Sequence, residues 1–101
     1  MISRHWRGLA RRDRADDYVE HLRRETLPAL KELRGFVDAS VLSREVAEGV
    51  EFVVVTRWTS MDAIASFAGP DPEVAVVPPK PAEMMVEFDR RARHFEVLEW
   101  R

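Results

Sequence analysis

Residues 52–69 read FVVVTRWTSMDAIASFAG, and this stretch decides the fold. A run of β-branched residues ends in a tryptophan, which predicts a strand over Glu51–Trp58 with apolar side chains on both faces. Ser60 is the N-cap expected of a helix, and the Gly-Pro pair at 69–70 ends that helix. A strand that is apolar on both faces needs a layer that covers each face. The helices of one small domain cover only one face of the sheet.

Alternating and helical hydrophobic periods predict the rest of the secondary structure. The expected elements are a strand over Ile2–Leu9, a helix begun by Asp13 and ended by Gly35, a strand over Phe36–Arg44, a short helix over Ala82–Arg90 and a last strand over His94–Trp100. Pro28 lies inside the first helix and lacks the N–H that would bond to Arg24, which predicts a break near Glu25–Leu27. Three prolines at 78, 79 and 81 predict that no regular structure crosses that stretch.

The order β-α-β-β-α-β predicts an α+β domain of the ferredoxin-like class. Right-handed crossovers then give a four-stranded antiparallel sheet with helices on one face. The length of 101 residues suffices for a single domain, residues 1–101. Because the strand over Glu51–Trp58 leaves the second face of the sheet to be covered, we predict a homodimer that pairs through that face.

Composition excludes several classes of function. The chain has no cysteine, which excludes disulfides, thiolate metal sites and cysteine nucleophiles. A formal net charge of -2 gives no basic field that would favour nucleic acid. Apolar runs such as Phe52–Val55 are far shorter than the ~20 residues of a membrane span, and the first residues lack the apolar stretch of a signal peptide. We therefore expect a cytoplasmic protein with neither nucleic acid nor a membrane as a partner.

The sequence resembles the antibiotic-biosynthesis-monooxygenase-like family in segments spread over nearly the whole chain. The matching segments, in the family's order, are ISRHWRG (2–8), LRRETLPAL (22–30), RGFVDASVLSR (34–44), FVVVTRWTSMDAIASFAG (52–69) and RHFEVLEW (93–100). The resemblance implies a ferredoxin-like domain that pairs into a dimeric α+β barrel. The family includes cofactor-independent oxygenases of phenolic polyketides, haem-degrading enzymes and members with no known activity, so the function has to be argued from the site.

The oxygenase branch of the family implies a reaction without metal or flavin, in which a bound phenol loses its proton and then reduces oxygen itself. Such a site needs a group that takes or stabilises the phenolic proton and an apolar cavity that holds a flat ring. We predict that a set of aromatic side chains binds the substrate: Trp6, Trp58, Phe67, Tyr18 and Phe88. We predict Arg4 and His94 as the catalytic residues, which bind or deprotonate the oxygen of the substrate.

The haem-degrading branch implies a tryptophan late in the second helix and a haem-ligating histidine further along the chain. Counted from Trp58, these places correspond to Phe67 and Val77. Phe67 has no indole and Val77 cannot ligate iron, so the sequence disfavours a haem. We expect neither a cofactor nor a metal ion.

Simpler structural interpretations stay open for each of these residues. Trp58 suits a core anchor at the junction of sheet and helix, and Trp6 beside Arg4 suits a stack within the chain. His94 suits a satisfied polar residue, and His21 with the glutamate one turn later suits an ordinary solvated pair. The favoured function is a cofactor-independent monooxygenase acting on a small aromatic or polyketide-like molecule. The alternative is a dimeric protein that binds a small molecule or has a structural role without chemistry.

Overall fold

The computed structural model, which describes residues 1–101, contains five strands and four short α-helices. In order they are β1 (Ile2–Ala10), a 3₁₀ turn (Arg12–Arg14), α1 (Ala15–His21), a π-helical segment (Leu22–Thr26), α2 (Leu27–Lys31), β2 (Phe36–Val46), β3 (Gly49–Trp58), α3 (Met61–Ala68), α4 (Pro79–Glu83), β4 (Met85–Phe88) and β5 (Arg93–Glu96). None of the helices combines the length and the apolar character that crossing a bilayer requires.

The strands form one antiparallel sheet in the order β2-β3-β1, and β4 and β5 both pair with the remaining edge of β1. The helices pack on one face of this sheet, where the core forms between them and side chains such as Phe52 and Trp58. This is the α+β, ferredoxin-like arrangement that the sequence predicts, with the fourth strand divided into two pieces. Since side chains alternate along a strand, Arg4 and Trp6 lie on the helix-covered face, and Ser3 and His5 lie on the outer face.

The first helix breaks where Pro28 predicts a break. The segment Leu22–Thr26 widens into a π-helix between α1 and α2, and the amide of Leu27 donates to the carbonyl of Leu22, five residues earlier. Pro28 has no N–H for the carbonyl of Arg24, so the regular pattern cannot continue through this turn. Such π-helical turns within helices are found frequently at functional sites.

Residues 79–83 contradict the prediction that the prolines exclude regular structure. They form α4, which begins at Pro79. Pro79 and Pro81 both fall in the first turn of this helix, where a backbone N–H has no partner within the helix, so the missing donors cost nothing there. Pro81 is buried, and it therefore contributes to packing as well.

The helix predicted over Ala82–Arg90 is also wrong, since Met85–Phe88 is the strand β4. It pairs with β1 through Gly8↔Phe88 and Leu9↔Glu87. The apolar spacing of this segment fits either period. The unpaired N–H and C=O groups at the edge of β1 favour the strand because a neighbouring strand satisfies them. The last strand is correspondingly short and spans Arg93–Glu96 instead of reaching Trp100.

Trp58 anchors the second half of the core. Its side chain is fully buried, stacks on Phe67 with ring centroids 5.7 Å apart and meets the edge of Phe36 at 5.4 Å. Its indole N–H donates to the Thr56 hydroxyl at 2.8 Å. These contacts confirm the interpretation of Trp58 as a core anchor at the start of α3. Ser60 caps that helix as predicted, because its hydroxyl accepts from the amide N–H of Ala63 at 3.2 Å.

Candidate functional site

A cavity of about 80 Å³ lies between the helix-covered face of the sheet and the first helices, and more than half of the residues lining it are apolar. Each layer of the fold contributes side chains that the site uses, namely Arg4 and Trp6 from β1, Tyr18 and His21 from α1, and Phe67 from α3. The segment from Val76 to Pro81, which leads into α4, closes the remaining side. Four of the predicted site residues therefore meet at one cavity: Arg4, Trp6, Tyr18 and Phe67.

Trp6 and Tyr18 form the aromatic wall of the cavity. The Trp6 indole N–H donates to the carbonyl of Asp89 at 2.8 Å, which fixes the edge of the ring. The centroid of the Trp6 ring lies 6.4 Å from that of Tyr18 and 6.2 Å from that of Phe88. Burial raises the pKa of the Tyr18 phenol far above its ordinary value. Tyr18 is therefore a neutral hydroxyl at physiological pH and offers a hydrogen bond but no charge.

Arg4 brings a positive charge to the wall of the cavity. Its side chain is buried, with 4% of the residue exposed. Nη1 donates to the carbonyl of Pro72 and to Nε2 of His94, the latter at 2.8 Å, and Nη2 donates to the carbonyl of Val74 at 2.9 Å. The guanidinium carbon lies 5.7 Å from the centroid of the Phe67 ring, a distance at which a cation and a ring attract each other. Burial lowers the pKa of Arg4, because the charged form is desolvated.

His94 lies opposite Arg4 in the pairing of β5 with β1. A guanidinium only donates hydrogen bonds, so Nε2 of His94 accepts, and the imidazole is neutral with its proton on Nδ1. Burial and the charge of Arg4 lower the pKa of His94, and the charge of Glu73 acts in the opposite direction. The lone pair that a base would use is thus already bound to Arg4.

Three of the predicted site residues do not line the cavity, and each lies directly behind one that does. Trp58 stacks against Phe67, Phe88 packs against Trp6, and His94 binds Arg4. The sequence pattern shows which face of a strand a side chain lies on and not how close to the cavity it comes, so the prediction could not separate the wall from the residues behind it. These three side chains position the wall and do not reach the ligand space in this structure.

His21 is the cavity residue that the sequence analysis missed. It lines the cavity from the end of α1, and its Nδ1 atom is buried without a hydrogen-bond partner. The signal that could have found it is the break predicted near Pro28, because the π-helical segment begins immediately after His21. No group of three or more His, Asp or Glu side chains in this structure is placed to hold a metal ion.

The cavity does not fit a haem. Phe67 and Val77, the positions that correspond to the functional residues of the haem-degrading branch, both line the cavity and neither supplies a ligand for iron. The volume of about 80 Å³ is also well below the roughly 300–1,000 Å³ of pockets for drug-sized ligands, and a porphyrin is larger still.

Comparisons with known proteins bear on the fold. No protein-family model matches the sequence, and no curated protein matches it. A proposed antibiotic biosynthesis monooxygenase from Bacillus cereus is similar in structure over 100% of this chain and 94% of its own, with 22% identity and a TM-score of 0.67. SnoaB, a cofactor-independent oxygenase from Streptomyces nogalater, is similar over 98% of this chain and 94% of its own, with 19% identity and a TM-score of 0.63.

A third similar structure is a mutant of MhuD that holds two manganese protoporphyrin IX molecules per active site. It covers 98% of this chain and 96% of its own, with 20% identity and a TM-score of 0.56. Proteins of this fold therefore include both an oxygenase without a cofactor and a porphyrin-binding protein, and likeness at these identities shows the fold alone. The chain has the fold of the antibiotic-biosynthesis-monooxygenase-like proteins, as its sequence resemblance predicts.

Proposed function

We propose that the protein is a cofactor-independent monooxygenase that acts, in the cytoplasm, on a small aromatic or polyketide-like molecule. The observation that carries this proposal is the mainly apolar cavity that Trp6, Tyr18 and Phe67 line together with the buried guanidinium of Arg4. Flat aromatic walls suit a ring, and a fixed cation stabilises an oxygen that becomes negative during the reaction. The similarity in fold to SnoaB supports the reaction class and says nothing about the substrate.

The reaction needs a phenol to lose its proton before oxygen attacks. Arg4 stabilises the phenolate oxygen in this proposal, and His21 takes the proton, because it is the one imidazole on the cavity wall. His94 acts through Arg4 and not on the substrate. An anthrone-like CH₂ group then becomes a carbonyl, with one atom of O₂ in the product and the other leaving as water. The four electrons that O₂ accepts all come from the substrate, so no external reductant enters the balance.

Oxygen consumption with a panel of hydroquinones and anthrone-like phenols tests this proposal. We expect uptake above that of buffer for at least one compound. Uptake should fall at least about tenfold in Arg4→Ala, because a charge-assisted contact to the reacting oxygen is lost. Arg57→Ala is the matched control, since Arg57 lies on the outer face and is paired with Asp38 at 2.6 Å. Uptake that survives Arg4→Ala and His21→Ala unchanged would refute the assigned roles.

A second candidate function is a protein that binds a small molecule without changing it. The size of the cavity favours this candidate, since about 80 Å³ is less than the roughly 150 Å³ of an engineered cavity that holds benzene. A single aromatic ring therefore already requires the segment 76–81 to move, and a polycyclic substrate requires a larger movement. The absence of oxygen uptake across the whole panel, together with measurable binding of one compound, would support this candidate over the monooxygenase.

We also propose that two copies pair through the outer face of the sheet. No helix covers this face, and it carries the exposed apolar side chains Leu42 and Phe95, which are 54% and 50% exposed. Exposed apolar surface of this kind marks an interaction site in a soluble domain. Arg7 and Arg44 bind Glu51 from both sides on the same face, at 2.6 and 2.7 Å, and such a row of charges restricts how a second sheet can pack against it.

Sedimentation velocity at micromolar concentration tests the pairing. We expect a dimer for the unmodified chain and a monomer for Phe95→Arg, which places a charge in the proposed interface. Met61→Arg is the matched control because Met61 is 38% exposed at the start of α3, on the helix side of the sheet. A monomer for the unmodified chain would contradict this proposal without affecting the proposal for the cavity.

A further inference from the structure

We propose that the ligand of the cavity is an anion, a planar ring that carries a carboxylate or an ionised phenol oxygen, and that the guanidinium of Arg4 is its receptor. The inference deepens the proposed function and rests on it only in placing the ligand in this cavity. It concerns the charge of the ligand, which the fold and the apolar lining leave open.

Arg4 is a buried charge without a counter-charge. Arginine keeps its proton in proteins, so this guanidinium stays positive even though it is 4% exposed. No carboxylate lies within 4.0 Å of it. Arg7 and Arg57, on the outer face of the same sheet, are more exposed and each has a carboxylate oxygen at 2.6 Å. Buried charges in proteins are normally paired, so the most buried arginine of the sheet lacks the partner that the others have.

The guanidinium of Arg4 also has N–H groups that make no hydrogen bond within the chain. Of the five N–H groups of an arginine, Nη1 uses two on Pro72 and His94, and Nη2 uses one on Val74. The Nε–H and one Nη2 N–H have no partner on the chain. A carboxylate accepts two such donors at once, and the pair is stronger than hydrogen bonds between neutral groups.

The other cavity residues are consistent with a ring that bears one negative charge. No Asp or Glu lines the cavity, so nothing there repels an anion. Trp6, Tyr18 and Phe67 offer apolar area, and the Tyr18 phenol is held neutral by burial. An interaction between charges is stronger in such surroundings than in water, because the local dielectric constant is low.

A purely structural role for Arg4 makes a different prediction. In that case the guanidinium serves to tie the carbonyls of Pro72 and Val74 to β1 and so holds the segment after α3 in place. The cavity would then bind a ring according to its shape alone, and the charge of the ligand would not matter.

Binding of benzoate and of benzamide to the unmodified protein, measured by calorimetry, separates the two roles. The probes have nearly the same shape and differ in charge, so we expect benzoate to bind at least about tenfold more tightly. 4-Nitrophenol, titrated above and below its own pKa, tells whether a phenolate serves as well as a carboxylate. Equal affinity for benzoate and benzamide, or no benzoate binding at millimolar concentration, would overturn the proposal.

Variants then assign the preference to Arg4. Arg4→Gln should abolish the preference for benzoate, Arg4→Lys should retain part of it, and the control Arg57→Gln should leave it unchanged. A preference for benzoate that survives in folded Arg4→Gln would overturn the assignment of Arg4 as the receptor. If that variant does not fold, the comparison of benzoate with benzamide on the unmodified protein still decides whether the cavity prefers an anion. Benzoate binding without oxygen uptake by any compound of the panel would support the anion site and refute the monooxygenase. Oxygen uptake without a preference for anions would support the monooxygenase and refute the anion site.

Discussion

Replacing each of the three tryptophans by phenylalanine separates the core anchor from the cavity wall. Trp58 is fully buried behind Phe67, Trp6 lines the cavity, and Trp100 is 52% exposed near the end of the chain. The same chemical change is therefore made in three environments. We expect Trp58→Phe to lower stability with little effect on ligand binding, Trp6→Phe to weaken binding, and Trp100→Phe to change neither.

The size of the stability effect follows from the contacts of Trp58. Its hydrogen bond to the Thr56 hydroxyl contributes about 1 kcal/mol. The smaller ring gives up roughly 40 Å² of buried apolar surface, which is about 1 kcal/mol at about 25 cal/mol per Å². The expected loss of about 2 kcal/mol lowers the Tm of a domain of this size by about 8–16 °C. Trp6→Phe loses its bond to the carbonyl of Asp89, about half of that effect, and Trp100→Phe should stay within about 0.5 kcal/mol.

Thermal unfolding followed by circular dichroism measures the stability of the three variants, and titration with benzoate measures their binding. A Tm of Trp58→Phe equal to that of the unmodified protein would refute the role of Trp58 as the core anchor. So would a loss of benzoate affinity in Trp58→Phe that exceeds the loss in Trp6→Phe, because Trp58 would then be a wall of the site.

Two further predictions concern backbone geometry and pH. Gly35 has φ +88 and an added Cβ would overlap Ala63, whereas Gly69 has φ +96 and open space around it. We therefore expect Gly35→Ala to lower the free energy of unfolding in urea by at least about 2 kcal/mol and Gly69→Ala by about 1 kcal/mol. Equal losses in the two variants would contradict this prediction. Burial lowers the pKa values of both His5 and His94 from the ordinary 6.5, so the unfolded chain takes up their protons first as the pH falls. The stabilisation that the two neutral histidines provide should therefore be complete above about pH 6.5 and should be lost as the pH falls through their lowered pKa values. We expect a smaller loss in the His5→Asn and His94→Asn variants. A urea midpoint that stays constant from neutral to mildly acidic pH would refute this prediction.

Local patterns in the sequence predict the parts of the fold that local forces determine. The β-branched run before Trp58, the cap at Ser60 and the break caused by Pro28 each follow from the chemistry of a few adjacent residues. β4 could not be predicted in this way, because Met85–Phe88 becomes a strand only by pairing with an edge that lies far away in the sequence. The short helix α4 was missed because prolines that break a helix interior are tolerated in its first turn.

The candidate site, too, could be predicted only where local patterns in the sequence determine it. Alternation along β1 places Arg4 and Trp6 on one face, and this much is visible in the sequence. Which side chains reach the cavity and which lie behind them depends on packing depth, and no periodic pattern contains that information. His21 escaped prediction because the helical period places it at the margin of the apolar face, and the π-helical segment that follows is a consequence of Pro28.

Amide NMR spectra of the nitrogen-15-labelled protein, recorded with increasing benzoate, locate the ligand most directly. If the cavity between sheet and helices is the binding site, the largest shift changes will occur at the amides of Arg4, Trp6, Tyr18, Val76 and Val77, which line it from three sides. Saturable changes confined to the outer face around Leu42 and Phe95, or no changes at all, would contradict the assignment of this cavity as the functional site.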